Sequence, residues 1–213
     1  MIVIEHRCNS IERLKNVPLE VGCEIDLRNH GKQIIVAHDA FDENGEELSL
    51  WLEHYRNRFL ILNVKEEGLE ECLFPLLKKF KVDNFFILDE SVPFIRKWAL
   101  KGIPNFALRV SEIECHTSAL LLAEDLKIKG VKIDWIWADC FNGKPLAAKQ
   151  IMALKEFGYK ICYVSPELHH IESPHLWKGM VIKFRLLLSN QKISPDAICT
   201  KLPEYWLSSS VIY

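Results

Sequence analysis

The chain has 213 residues, enough for one large domain, and 49% of them are hydrophobic. Its formal net charge of -2 argues against a nucleic-acid-binding domain, which usually carries an excess of basic residues. No apolar run reaches the roughly 18 residues that a transmembrane helix needs, so we expect no stable membrane insertion.

The cysteines and the N-terminus indicate a compartment. The seven cysteines are scattered and include no CxxC pair, so the spacing of a zinc site is absent. The apolar run at residues 1–4 is too short for a signal peptide. Most of the cysteines lie beside apolar residues, and these features predict mostly buried thiols in a reducing cytoplasm.

Short apolar segments alternate with amphipathic segments along the whole chain. Nine segments have the composition of β-strands, at residues 1–6, 20–28, 33–39, 58–65, 84–90, 105–112, 131–140, 159–165 and 195–201. Several are apolar on both faces, as buried parallel strands are. Helical patterns lie between them at residues 68–80, 92–102, 117–130 and 145–158, and Pro145 is expected at the first position of the last helix.

This alternation predicts one α/β domain over residues 1–213 with a parallel sheet. About eight main β units favour a closed, compact (β/α)8 TIM-like barrel near the lower size limit of that fold. An open doubly wound sheet is the alternative. The GxGxxG motif that would follow the first strand of a dinucleotide-binding sheet is absent.

Polar residues lie in the carboxyl-terminal half of the first four predicted strands or directly after it. They are His6 and Arg7, Glu24 and Asp26, His38 and Asp39, and Asn63 and Lys65. Side chains two residues apart on a strand share a face, so each pair on the second and fourth of these strands can point toward the barrel axis. Active sites of such barrels lie at the carboxyl ends of the strands.

The residue types at these positions suit one kind of chemistry. Glu24, Asp26 and the amide oxygen of Asn63 form a set of hard oxygen ligands for Mg²⁺ or Ca²⁺. His6 and His38 can serve as general base and general acid. An arginine and a lysine, Arg7 and Lys65, can hold a phosphate. Together they predict cleavage of a small-molecule phosphodiester.

The motifs resemble those of the glycerophosphodiester phosphodiesterase group within the phospholipase-C-like phosphodiesterase superfamily. That family has HRG, E-x-D, HD and E-x-K motifs and a late DGIITDRP-like strand; the matching segments are HRC at 6–8, EID at 24–26, VAHD at 36–39, NVK at 63–65 and DAICTKLP at 196–203. The order and the strand contexts agree from one end of the chain to the other.

The resemblance implies a TIM-like barrel in which Glu24 and Asp26 hold a divalent cation and His6 and His38 are the catalytic histidines. It also implies attack on phosphorus by a neighbouring hydroxyl of the substrate, giving a cyclic phosphodiester that is then hydrolysed. The cation would act as Lewis acid and template.

Two residues depart from the family motifs. The glycine of HRG is Cys8 here, and the third metal-binding carboxylate is Asn63. The second change removes one negative charge and predicts weaker metal binding. The segment that follows the HD motif is also short, so the family's glycerol specificity is not implied.

Other polar and aromatic residues have competing interpretations. Trp137 is expected to face the pocket as a wall for an apolar or sugar-like group, although a tryptophan packed under helices fits the pattern equally well. Asp139 shares its face, and we expect it as a further substrate contact. Glu90 and Arg109 are more typical of structural ion pairs, and His169 of a solvated loop.

Two alternatives to a metal-dependent phosphodiesterase remain open. One is a catalytically degenerate barrel that binds a phosphorylated metabolite without turnover. The other is a metal-independent lyase. The sequence does not determine the leaving alcohol, the metal or the oligomeric state.

Overall fold

The computed structural model describes residues 1–56, 58–170 and 173–207. Eight parallel strands form a barrel, and most of the helices pack on its outside. The barrel strands are β1 (Ile2–Glu5), β2 (Gly22–His30), β5 (Leu60–Val64), β6 (Phe85–Leu88), β7 (Ala107–Val110), β8 (Trp135–Ala138), β9 (Lys160–Val164) and β10 (Ala197–Thr200). The helices are α1 (Ile11–Asn16), α2 (Leu48–Glu53), α3 (Glu70–Lys79), α4 (Val92–Ala99), α5 (His116–Ile128), α6 (Ala148–Glu156), α7 (Trp177–Asn190) and α8 (Glu204–Leu207). Within the described ranges, no helix is both long and apolar enough to cross a bilayer.

The strand order gives the ring of a TIM-like barrel with one weak seam. β1 pairs with β2 on one side and with β10 on the other, and the ladders continue to β6 and to β7. Between β6 and β7 the only pairing among described residues is the isolated bridge Ile87–Phe106. The predicted barrel is therefore confirmed in its eight-stranded layout, but its closure by hydrogen bonds is incomplete.

The predicted strand at residues 33–39 is not a barrel strand. Its observed part, β3 (Gln33–Val36), runs antiparallel to the outer half of β2. A further short strand, β4 (Glu46–Glu47), pairs with β3. Beyond its pairing with β5, β2 thus continues into a hairpin that turns at Gly31, where φ is 64°.

Two features of the helices differ from the sequence patterns. The helix expected to begin at Pro145 begins at Ala148, and the backbone N–H of Ala147 donates to the side chain of Gln150. The long helix α7 is not among the helical patterns above, although its buried residues Val181, Phe184 and Leu188 have the spacing of one helix face.

The burial pattern distinguishes the inside of the barrel from the outside of the sheet. A compact inner cluster takes alternate strand residues, including Ile4, Ile61, Leu88 and Trp137. A larger cluster fills the layer between the strands and the helices, and contains the intervening residues of the same strands. Side chains in register with the inner cluster therefore point into the barrel.

Candidate active site

The acidic residues predicted to bind metal lie inside the barrel at its carboxyl end. Cys23, Ile25 and Leu27 belong to the outer layer, so Glu24 and Asp26 face inward. Both acids are only 1% exposed. Asn63 pairs with Asp26 across the β2–β5 ladder. The structure thus brings Glu24, Asp26 and Asn63 together.

Asn63 interacts with Glu24 through its nitrogen. Nδ2 donates to Oε1 of Glu24 at 3.1 Å. The other end of the amide, Oδ1, is buried and has no hydrogen-bond partner among the described residues. An unpaired buried acceptor next to two carboxylates is a position that a cation can satisfy.

Asn9 is a site residue that the sequence patterns missed. Its Nδ2 donates to Oδ2 of Asp26 at 2.7 Å, and its Oδ1 accepts from the backbone N–H of Asp26 at 3.0 Å. These two bonds fix the side chain of Asp26. A single asparagine two residues after Arg7 has no periodic signal, so only its position beside the HRC motif could have suggested a role.

The carboxylate of Glu24 is destabilised in its charged form. Burial and the neighbouring charge of Asp26 raise the pKa of Glu24 to about 7. The backbone N–H of Arg7 donates to Glu24 Oε2 at 2.7 Å and partly opposes this effect. A divalent cation bound beside Glu24 would, like the N–H of Arg7, favour the charged form of this carboxyl group.

His6 follows β1 on its inward face, and its Nε2 lies 3.9 Å from Glu24 Oε2. Burial and the nearby charges of Arg7 and Lys201 lower the pKa of His6 to about 3. His6 is therefore a neutral imidazole at neutral pH. Lys201, at the end of β10, is another nearby cation that sequence reasoning did not include.

Arg7 connects the two histidine-bearing segments. Its φ of 56° is left-handed, a conformation that costs roughly 1–3 kcal/mol for a residue with a side chain. The guanidinium Nη2 lies 2.6 Å from Nε2 of His38, and Nδ1 of His38 lies 2.7 Å from Oδ1 of Asp39. Because arginine only donates, Nε2 of His38 is the acceptor and Nδ1 carries the proton.

A chain of alternating charges crosses the mouth of the barrel from Asp26. Lys65 Nζ lies 3.0 Å from Asp26 Oδ1 and 3.8 Å from Asp89 Oδ2. Asp89 pairs in turn with Arg109, and Arg109 pairs with Asp139. Lys65 is thus placed beside the acidic pair, as the sequence analysis expected.

The chain of charges ends at His169, whose Nε2 lies 2.5 Å from Asp139 Oδ1. The interpretation of His169 as a solvated loop residue is therefore wrong. The structural ion pair expected for Arg109 is present, and it links two carboxylates. The structural ion pair expected for Glu90 is absent, since both carboxyl oxygens of Glu90 lack a hydrogen-bond donor among the described residues.

Trp137 lies inside the barrel and is 5% exposed. Its ring centroid is 6.4 Å from that of Phe86, and its Nε1 is buried without a hydrogen-bond acceptor in the described part of the chain. The tryptophan is thus a buried residue of the barrel interior, and its role as a pocket wall stays a prediction.

The oxygen donors fit a weakly held divalent cation. In the ranges that the structure describes, no group of three or more His, Cys, Asp and Glu side chains is arranged to hold a metal. Glu24, Asp26 and Asn63 Oδ1 supply two carboxylates and one amide oxygen. Mg²⁺ accepts such a set, because it usually keeps several waters. The ammonium of Lys65 competes with it for Asp26.

Comparisons with known proteins identify the fold. No protein-family model matches the chain, and no curated protein sequence does. A solved structure from Agrobacterium tumefaciens, described as a glycerophosphoryl diester phosphodiesterase, has a TM-score of 0.65 at 10% identity over 96% of this chain and 94% of that one. A glycerophosphodiester phosphodiesterase from the same organism has a TM-score of 0.64 at 14% identity over 98% of this chain and 100% of that one. The chain therefore has the barrel fold of these proteins over nearly its whole length.

Proposed function

We propose that the protein is a metal-dependent phosphodiesterase that cleaves a glycerophosphodiester-like or related small-molecule diester. The observation that carries this proposal is the convergence of two buried carboxylates, two histidines and two cations at one barrel mouth. The barrel shared with two glycerophosphodiester phosphodiesterases supports it. A cytoplasmic location stays a prediction, supported by the seven cysteines, all of them free thiols.

Glu24 and Asp26 would hold Mg²⁺ or Ca²⁺, with Asn63 Oδ1 as a weak third ligand. When bound, the cation supplies Lewis-acid stabilisation of the negative charge that develops on the phosphate oxygens. Arg7 and Lys65 supply further positive charge for the phosphate and orient it. Trp137 would form one wall of the pocket.

The two histidines suit different proton transfers. His6 is neutral and lies on the inward face beside Glu24, so a free ring nitrogen is available to take the proton of the attacking hydroxyl. Asp39 lies beside Nδ1 of His38 and can hold the ring in one orientation, and His38 would be the acid that protonates the leaving oxygen. Arg7 would leave Nε2 of His38 when it turns to the incoming phosphate.

The direct test is hydrolysis of bis(p-nitrophenyl) phosphate and of a glycerophosphodiester in the presence of Mg²⁺, Mn²⁺ or Ca²⁺. We expect His6→Ala and His38→Ala each to lower kcat by about 100-fold or more, the size of a lost acid-base contribution. Activity that survives in both variants would overturn the assignment. His30→Ala, in the distal part of the hairpin, is the matched control.

Two other functions are each favoured by a specific observation. The amide at Asn63 favours a barrel that binds a phosphorylated metabolite without turnover. The ion pair between Lys65 and Asp26 favours a metal-independent lyase, because the carboxylate already has a cation. Absence of turnover with every metal supports the first, and full activity in EDTA supports the second.

A further inference from the structure

A second cluster of polar side chains lies at the barrel mouth beyond Lys65. Asp139 is 1% exposed and accepts hydrogen bonds from Arg109 and from its neighbour's backbone N–H at Cys140, the latter at 2.9 Å. His169 reaches the same carboxylate from the turn after β9. Asp89 at the end of β6 also pairs with Arg109 of β7. The ends of β6, β7 and β8 and the turn after β9 therefore build one site.

The charges of this cluster disfavour an anionic ligand. Asp89 and Asp139 flank the single guanidinium of Arg109, so no cation is left unpaired for a second phosphate or a carboxylate. An acyl chain is also disfavoured, because it would remove the charged groups of Asp89 and Arg109 from water.

The groups that remain available suit hydroxyls and the apolar face of a ring. His169 uses Nε2 for Asp139, which leaves Nδ1 without a partner in the described part of the chain. The buried N–H of Trp137 lacks an acceptor there as well. Phe141 is 42% exposed, and its ring centroid lies 4.6 Å from that of His169. Aromatic rings beside fixed hydrogen-bonding groups are well suited to the alternating C–H and O–H groups of a sugar.

We propose that this cluster is a recognition subsite for a neutral, polyhydroxylated group, a sugar or cyclitol, attached to the phosphate that is cleaved. The proposal rests on the proposed phosphodiesterase function. Lys65 connects the two parts, since its ammonium contacts Asp26 of the acidic pair and Asp89 of the subsite. A single diester can therefore contact the acidic pair with its phosphate and the subsite with its polyhydroxylated group.

The test compares kcat/KM for glycerophosphoinositol, glycerophosphoethanolamine and bis(p-nitrophenyl) phosphate in wild type, His169→Ala and Phe141→Ala. We expect the ratio of glycerophosphoinositol to bis(p-nitrophenyl) phosphate to fall about tenfold or more in each variant, the effect of one lost buried hydrogen bond or ring contact. His169→Gln, which can still donate to Asp139, should recover part of that ratio. His170→Ala is the matched control on the same turn.

An unchanged ratio in both variants, or an equal fall for glycerophosphoethanolamine, would overturn the subsite. If no diester is turned over, binding of inositol 1-phosphate and of inorganic phosphate is compared by calorimetry. Tighter binding of inositol 1-phosphate that is lost in His169→Ala supports the subsite even though the proposed function has failed. Equal binding of the two ligands by wild type overturns the subsite by itself.

Discussion

Asn9 holds Asp26 by two hydrogen bonds, one to its carboxylate and one from its backbone N–H. We predict that Asn9→Ala lowers the free energy of unfolding by about 1–3 kcal/mol, because a buried carboxylate loses its neutral donor. The same change should weaken Mg²⁺ binding, since Asp26 becomes free to rotate. Urea denaturation and calorimetry measure the two effects. Asn16→Ala, at the end of α1, is the control, and equal stability of both variants would contradict the role given to Asn9.

Asn63 offers a direct test of the metal site. We expect Asn63→Glu to tighten Mg²⁺ binding about tenfold or more, because a third carboxylate raises the charge of the ligand set. Without metal the variant should be less stable than wild type, since the new charge lies beside the buried Glu24. The side chain in Asn63→Gln is as long as that in Asn63→Glu but carries no charge. Asn63→Gln should therefore show neither the tighter Mg²⁺ binding nor the loss of stability that the added charge causes. Unchanged affinity in Asn63→Glu would mean that position 63 does not contact the cation.

Glu70 and Glu90 form a buried carboxyl pair away from the acidic pair of Glu24 and Asp26. Glu70 is 0% and Glu90 8% exposed, and the charge of Glu70 is one of the causes that raise the pKa of Glu90. Burial and the contact with Glu70 raise the pKa of Glu90 from 4.5 to about 9. The exposed ammonium of Lys97 and the carboxylate of Glu67 also act on Glu90.

This pair predicts a loss of stability at alkaline pH. A group whose pKa is raised on folding stabilises the protein fully below its unfolded pKa, near 4.5, and that contribution is lost as pH rises through about 9. In Glu90→Gln, the fall in unfolding free energy between pH 6 and pH 9 should be smaller than in wild type. Chemical denaturation at several pH values measures this slope. Glu71→Gln, on the exposed side of α3, should keep the wild-type slope.

At the scale of elements, Gly22 allows β2 to approach the start of β5. A Cβ at this position would lie 2.7 Å from the carbonyl oxygen of Phe59 and 3.1 Å from the side chain of Ile4. We predict that Gly22→Ala lowers the free energy of unfolding by roughly 1–3 kcal/mol, the usual cost of overpacking. Thermal or urea denaturation gives the value.

Gly179 is the natural comparison for Gly22. It lies in α7, and a Cβ there meets nothing within 4 Å. Gly179→Ala should stabilise the protein by about 0.5–1 kcal/mol through helix propensity. Opposite signs for the two variants are expected; destabilisation by both would show that the clash at Phe59 is not the cause.

The seam between β6 and β7 should be the first part of the barrel to open. Only one bridge joins the two strands, whereas β2 and β5 share a ladder of five residue pairs. Amide hydrogens in β6 and β7 should therefore exchange faster than those in β2 and β5. Hydrogen exchange followed by mass spectrometry measures this, and equal protection of the four strands would contradict the expectation.

At the scale of the whole molecule, the strand-helix alternation was sufficient to predict a (β/α)8 barrel, because buried parallel strands are nearly continuous apolar runs. The grouping of Glu24, Asp26 and Asn63 followed from the same reasoning, since carboxyl ends of parallel strands meet at one edge. Their roles, and those of the histidines, stay predictions.

Other parts of the molecule had no local signal. The residues 33–39 have the pattern of a strand, but a pattern does not give the direction of pairing, so the hairpin was not foreseen. The contact of Arg109 with both Asp89 and Asp139 depends on which strand ends are neighbours in space. The role of Asn9 depends on its hydrogen bonds with Asp26, which lies 17 positions later in the sequence.

The hairpin of β2 and β3 has a consequence for how this fold can vary. It attaches His38 to the end of a hairpin strand, whereas Glu24 and Asp26 belong to the barrel wall. The proposed proton donor and the proposed cation ligands are therefore carried by different elements. A chain built in this way can change its rate of reaction and its affinity for metal as two separate traits, each open to selection or design without the other.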